Sequence, residues 1–311
     1  MIKRQKYCSQ NHYDIFLREC DEVTQFFEQN KFQSDSTEEE ASLRAGFFQR
    51  LALHKILVSY TAGVEIDFLI PLLDELIANY EIRQKALAIY EQVPEISPLA
   101  IDVYPDQYEE FAQVVGLCIL LHRTDLLPRF VKLIDEAGYT GDDTLYEDLL
   151  RKVLPNRHDV DQWYHGVYTP LIQAIYVVDK TEASKLLKKY CQQWYPAFEQ
   201  APWHDTHHQG DGGSYVGYWA IEAGAIAFLY GIDDSGVDHM VYPKDLVEYA
   251  RNHQSDTQIN RVVAGGPCAK TGYWFTPLQA NSRRHFQQGE IMPSISKSTG
   301  DGTLWYWSGK E

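Results

Sequence analysis

The sequence predicts a mainly α protein: an antiparallel helical bundle of about ten helices with a small C-terminal β-rich appendage. Three observations carry this reading. Apolar residues recur at helical spacing through most of the first 255 positions. Those runs are punctuated by cap-type residues and short turns. Beyond them the composition shifts to Gly, Ser, Thr and aromatic residues in short runs, which suits small strands. The expected division is residues 1–255 as the helical domain and 256–311 as the appendage, with the polar run 252–260 (NHQSDTQIN) as linker.

Taken in order, residues 13–29 carry Phe16, Cys20, Val23 and Phe27 on one helical face. Thr37, three residues before Glu40, matches a capping box, in which the hydroxyl and carboxylate satisfy each other's orphan N–H groups. Leu43, Phe47, Leu51 and Val58 continue that helix, and Gly63 suits its C-cap. Pro105 fits the first position of the next helix. Thr124 reads as the cap before DLLPRFVKLIDEAG, whose Gly138 tolerates positive φ, and Thr181 as the cap before EASKLLKKYCQQWY. The run 214–230 is rich in small residues and predicts a central helix that neighbours approach closely, with Gly224 and Ala220 facing another backbone. Trp219 and Tyr230 belong to its packing. Glu222 lies among Tyr218, Trp219 and Ile226, so its carboxylate is expected to be buried against an Arg or a Tyr hydroxyl, as structural ion pair or raised-pKa acid. Gly231 ends the helix, and Pro243 opens another. Tetratricopeptide and ankyrin signatures are absent, which favours a bundle over a solenoid.

In the tail, 272–275 and 303–307 read as strands separated by turns. So small a β unit has a marginal core, and Trp274, Trp305 and Trp307 are expected to dock on the helical body.

The formal charge is −16, and it is uneven: residues 1–255 hold 22 basic against 40 acidic residues, whereas 256–311 hold six against four. Such acidity argues against direct nucleic-acid binding and favours a basic protein partner. Five cysteines without a C-x-x-C suggest neither a disulfide framework nor a zinc knuckle. With no apolar segment following the basic N-terminus and no long uncharged apolar run, the reading is cytoplasmic, with no membrane association.

The most enzyme-like stretch is 203–213. His204, His207 and His208 with Asp205 and Asp211 offer nitrogen and oxygen donors, but H-E-x-x-H register is lacking, and a polar loop is expected, with no metal. No G-x-S-x-G elbow occurs, and 264–267 (AGGP) lacks the Lys and Ser or Thr of a phosphate loop. No catalytic residue and no cofactor are expected. Asp233 and Asp234 read first as turn formers. Together with Asp205, Asp211 and Asp238 they are also candidate contacts for a basic partner.

Residues 217–223 (GYWAIEA), 230–235 (YGIDDS) and 242–246 (YPKDL) resemble the C-terminal signature of the PoNe immunity protein (PoNi) family of bacterial polymorphic toxin systems. Residues 57–66 (LVSYTAGVEI) are similar to the family's N-terminal helical part, so the resemblance spans about residues 40–250. It implies an all-α protein that binds and neutralises a cognate toxin, in that family a DNA-degrading effector delivered between bacteria by type VI or related secretion. It brings no catalytic residues. The tail departs from the family's usual ending, which bears on the toxin's identity. A metal-dependent hydrolase or toxin-modifying enzyme using the His204, His207 and His208 loop is the alternative.

Overall fold

The computed structural model describes residues 3–259, 261–276, 282–294 and 304–307. The chain is mainly helical, with ten α-helices and a small sheet among the described residues. It forms two compact units, residues 1–247 and 248–311.

In the first unit, α1 (Gln10–Gln29) is capped by Ser9, whose side chain accepts from His12 N. Its predicted stripe faces inward, with Cys20 buried and Phe16, Val23 and Phe27 half-buried. The cap of α2 (Thr37–Ala62) is Ser36, accepting from Glu39 N, one residue before the expected Thr37. Ser36 still has extended backbone, as a cap requires, and Glu40 instead accepts from Phe32 N and holds Arg44. Leu43 is exposed, and the buried face runs through Ala45, Gln49, Ala52, Leu53 and Ile56. Gly63 ends α2 at φ 93°, as expected.

Helix α3 (Leu72–Glu91) packs on α2, and α4 (Pro105–Leu120) begins with Pro105 in its expected place. Thr124 opens a 3-10 turn, so α5 (Leu127–Ile134) starts only before Pro128, and the chain leaves it through Gly138 at φ 95°. Helix α6 (Thr144–Leu150) is buried at every position. Helices α7 (Thr169–Tyr176) and α8 (Lys180–Ala197) pack together. The α8 cap is Asp179, accepting from Thr181 N, which places Thr181 inside the first turn.

The predicted helix 214–230 is shorter than its composition suggested, because α9 covers only Ile221–Tyr230. Residues 214–220 are pulled straight by partners remote in sequence. Gln5 Nε2 donates to Tyr218 O (2.6 Å) and Met240 O (2.8 Å), and Gln5 Oε1 accepts from Tyr218 N (3.0 Å) and Tyr215 Oη. Thr61 Oγ1 donates to Val216 O (2.6 Å) and accepts from Trp219 Nε1 (2.8 Å). Gly217 adopts φ 114°, and a Cβ there would lie 2.1 Å from Thr61 Oγ1. Gly224 does face a close neighbour: its Cβ would meet Pro243 Cγ at 2.8 Å and Val247 Cγ2 at 2.9 Å. Ala220 lies just before the helix, donating its N–H to Val241 O. Pro243 immediately precedes α10 (Lys244–Ile259), which continues through the run read as a linker.

Tyrosine hydroxyls recur as donors in and around the interior. Among the described residues nine tyrosines donate to carboxylates, including Tyr80 to Glu110 (2.6 Å), Tyr146 to Asp135 (2.6 Å), Tyr190 to Glu222 (2.6 Å) and Tyr242 to Asp234 (2.6 Å). Of these acids Asp143, Asp148, Glu222 and Asp234 are buried, so part of the chain's acidic count lies in the core, where a tyrosine hydroxyl supplies a partner. Around α6, Arg157 bridges Asp135 (2.7 Å) and the fully buried Glu147 (2.8 Å).

The second unit holds an antiparallel four-stranded sheet in the order β1-β4-β2-β3, from β1 (Arg261–Val263), β2 (Gly272–Phe275), β3 (Arg284–Phe286) and β4 (Leu304–Trp307). Trp274 and Trp305 are buried in a cluster of this unit's own residues, with Cys268, Phe286 and Met292. Pairing four strands gathers apolar groups that no single short strand could cover. Their indoles donate to Lys270 O and Pro293 O. Trp307 lies in β4, and its side chain is outside the described residues.

Candidate functional site

The loop after α8 returns over that helix and gathers the histidines. Asp205 takes left-handed backbone at φ 60°, unusual for a non-glycine, and the 3-10 turn Thr206–Gln209 follows. Tyr195 Oη donates to Asp205 Oδ1 at 2.6 Å and accepts from Asp205 N at 3.2 Å. This hydroxyl contact holds the Asp205 carboxyl below its usual range. His204 stacks on the Tyr195 ring at 4.2 Å, with Nδ1 3.7 Å from Asp205 Oδ2.

His207 is fixed more tightly. Its Nδ1 lies 2.8 Å from Tyr218 Oη, its ring 4.1 Å from that of Tyr7 and 3.9 Å from that of His208. Desolvation, and then the neighbouring His208, lower its pKa. Together with Tyr7, Tyr195, Tyr218 and His239, the residues Asp205, His207 and His208 line a cavity of about 430 Å³. The tyrosines and His239 were not singled out as site residues from sequence, because the cavity brings them together from segments far apart in the chain.

The other predicted acids do not converge. Asp211 accepts from Ser9 Oγ (2.7 Å) and Asn11 Nδ2 (2.8 Å) at the start of α1. Asp233 is exposed and accepts from Ser235 N, the turn role expected of it. Asp234 is buried with Tyr242 Oη on its Oδ2, so it faces the interior and leaves the set of candidate partner contacts. Asp238 is exposed, beside His239. Among residues assigned to packing, Trp219 packs at a tilt against Tyr60, with ring centroids 4.7 Å apart, and Tyr230 Oη donates to Asp148 O at 2.9 Å.

Glu222 is wholly buried. The Tyr190 hydroxyl donates to it, no cation among the described residues forms an ion pair with it, and burial pushes its pKa up to about 7. Glu109 is raised well above the usual carboxylate range, by burial and then by the charge of Glu222. Glu109 borders a second cavity, of about 370 Å³, that also contains Arg50, His54, Arg83 and Trp194. There burial, reinforced by Arg50, lowers the His54 pKa to about 4.

Residues 141–246, from just before α6 to the start of α10, match the family described as PoNe immunity proteins (PoNi), C-terminal. That stretch is thus similar to the PoNi C-terminal family, and all three motifs quoted for it fall inside. The upstream 57–66 segment lies outside that match. Comparison with curated proteins gives no match. Among solved structures, the crystal structure of Protein PA2201 from Pseudomonas aeruginosa is similar, with a TM-score of 0.60 and 23% identity over 81% of this chain and 92% of that one. That likeness is one of fold.

Proposed function

We propose that this chain is an immunity protein that binds and neutralises a cognate antibacterial toxin by direct protein–protein contact. The match of residues 141–246 to the PoNi C-terminal family carries the reading. The finer reading is a basic, nuclease-type effector of type VI secretion, met in the bacterial cytoplasm, with the chain itself acting without catalysis, nucleic-acid contact or membrane association. The acidic excess of residues 1–255 supports a basic partner, since complementary charge accelerates and orients encounter. Among the described residues no helix is long and apolar enough to cross a membrane.

Co-expression with the toxin domain encoded beside it tests the proposal. A stable complex on size exclusion, together with survival of cells that otherwise die from the toxin, is expected. Survival without any complex, or a substoichiometric amount of this chain inactivating the toxin through turnover, would favour the enzymatic alternative.

A further inference from the structure

We propose that Asp205, His207 and His208 form a binding site for a divalent transition-metal cation of the zinc type. One donor atom of each side chain lies within 4.8 Å of the other two. Metal–ligand bonds of about 2.0–2.2 Å set neighbouring donors of a tetrahedral ion about 3.4 Å apart, so closure asks for side-chain shifts of roughly 1 Å in a loop. Two imidazoles and one carboxylate suit zinc, cobalt or nickel. Magnesium and calcium prefer oxygen donors throughout.

The surroundings orient these groups as ligands. Tyr218 Oη engages His207 Nδ1 at 2.8 Å, an outer contact of the type that sets the rotation of a metal-binding imidazole and leaves Nε2 for the ion. Tyr7, stacked on the His207 ring at 4.1 Å, restricts its swing. Tyr195 Oη engages Oδ1 of Asp205 at 2.6 Å and fixes the carboxylate, whose Oδ2 has only the more distant His204 Nδ1 beside it at 3.7 Å. The adjoining cavity leaves room for a fourth ligand, as in three-residue zinc sites that keep one position open.

The test uses tag-free, full-length protein freed of metal by a chelator and titrated with Zn²⁺, Co²⁺ and Mg²⁺. One equivalent of Zn²⁺ and no Mg²⁺ are expected, and Co²⁺ should give visible d–d bands without a thiolate charge-transfer band. His208→Ala and Asp205→Asn, both at exposed positions, should each weaken Zn²⁺ binding by at least about tenfold while the fold, followed by circular dichroism, is kept. Three results would overturn the assignment: no stoichiometric Zn²⁺, binding unchanged in both variants, or a thiolate band assigning the ion to one of the five cysteines.

Discussion

Replacing Glu222 by Gln should make the protein more stable above neutral pH and flatten its response to pH. The carboxyl is wholly buried and accepts a hydrogen bond from Tyr190, with the Trp194 indole as its other polar neighbour. Burial raises its pKa from 4.5 to about 7. In the unfolded chain the group ionises near 4.5, whereas in the folded chain it holds its proton until about 7. Its contribution is thus fully favourable below 4.5, is lost as pH rises from 4.5 to about 7, and stays lost above. The rise is equivalent to about 3 kcal/mol. Gln keeps nearly the same shape and an acceptor for Tyr190 but never ionises. Urea unfolding of wild type and Glu222→Gln at pH 5 and pH 8 reads the difference. Near-equal stability at pH 5 is expected, with the variant gaining on the order of 2–3 kcal/mol at pH 8, since Glu109 also relaxes when the neighbouring charge is removed. A variant less stable than wild type by the same amount at both pH values would show that Glu222 acts only through its hydrogen bonds, and would refute the reasoning.

Gly224→Leu should cost on the order of 1–3 kcal/mol or more, because its Cβ already meets Pro243 and Val247 below 3.0 Å; an unchanged melting temperature would count against this packing. Gln5→Ala strands two donors and two carbonyls in the interior and should cost on the order of 3 kcal/mol by thermal unfolding, whereas a loss below about 0.5 kcal/mol would mean that residues 215–218 hold their path unaided. Association with a basic toxin should slow by about tenfold or more as salt rises to roughly 0.15 M, with dissociation changing less; a flat on-rate in stopped-flow measurements rules out electrostatic steering. Asp233→Lys with Asp238→Lys probes one exposed acidic stretch without disturbing the buried Asp234, and full protection by that double variant would exclude the stretch from the interface.

Much of the architecture was legible locally. The stripe of α1, Pro105 opening α4, the left-handed Gly63 and Gly231, and the strands at 272–275 and 304–307 each depend on neighbours a few residues away, through helical periodicity, a fixed φ or a missing Cβ. The resemblance to PoNi was legible for a related reason, since its motifs cluster within 217–246. Local signals erred by one register where two capping residues stood side by side, as at Ser36 and Thr37, and the choice fell to whichever kept extended backbone. What tertiary structure alone decided lies at long range. Gln5 and Thr61, more than 150 residues away, hold 215–219 out of the helix that its small residues favour, because their hydrogen bonds outweigh weak local propensity. That segment in turn brings Tyr218 to His207, next to His208 and Asp205. The charge of the chain was plain from sequence, but which acids face solvent was not, since a carboxylate meeting a tyrosine hydroxyl in the core has the same composition as one in water.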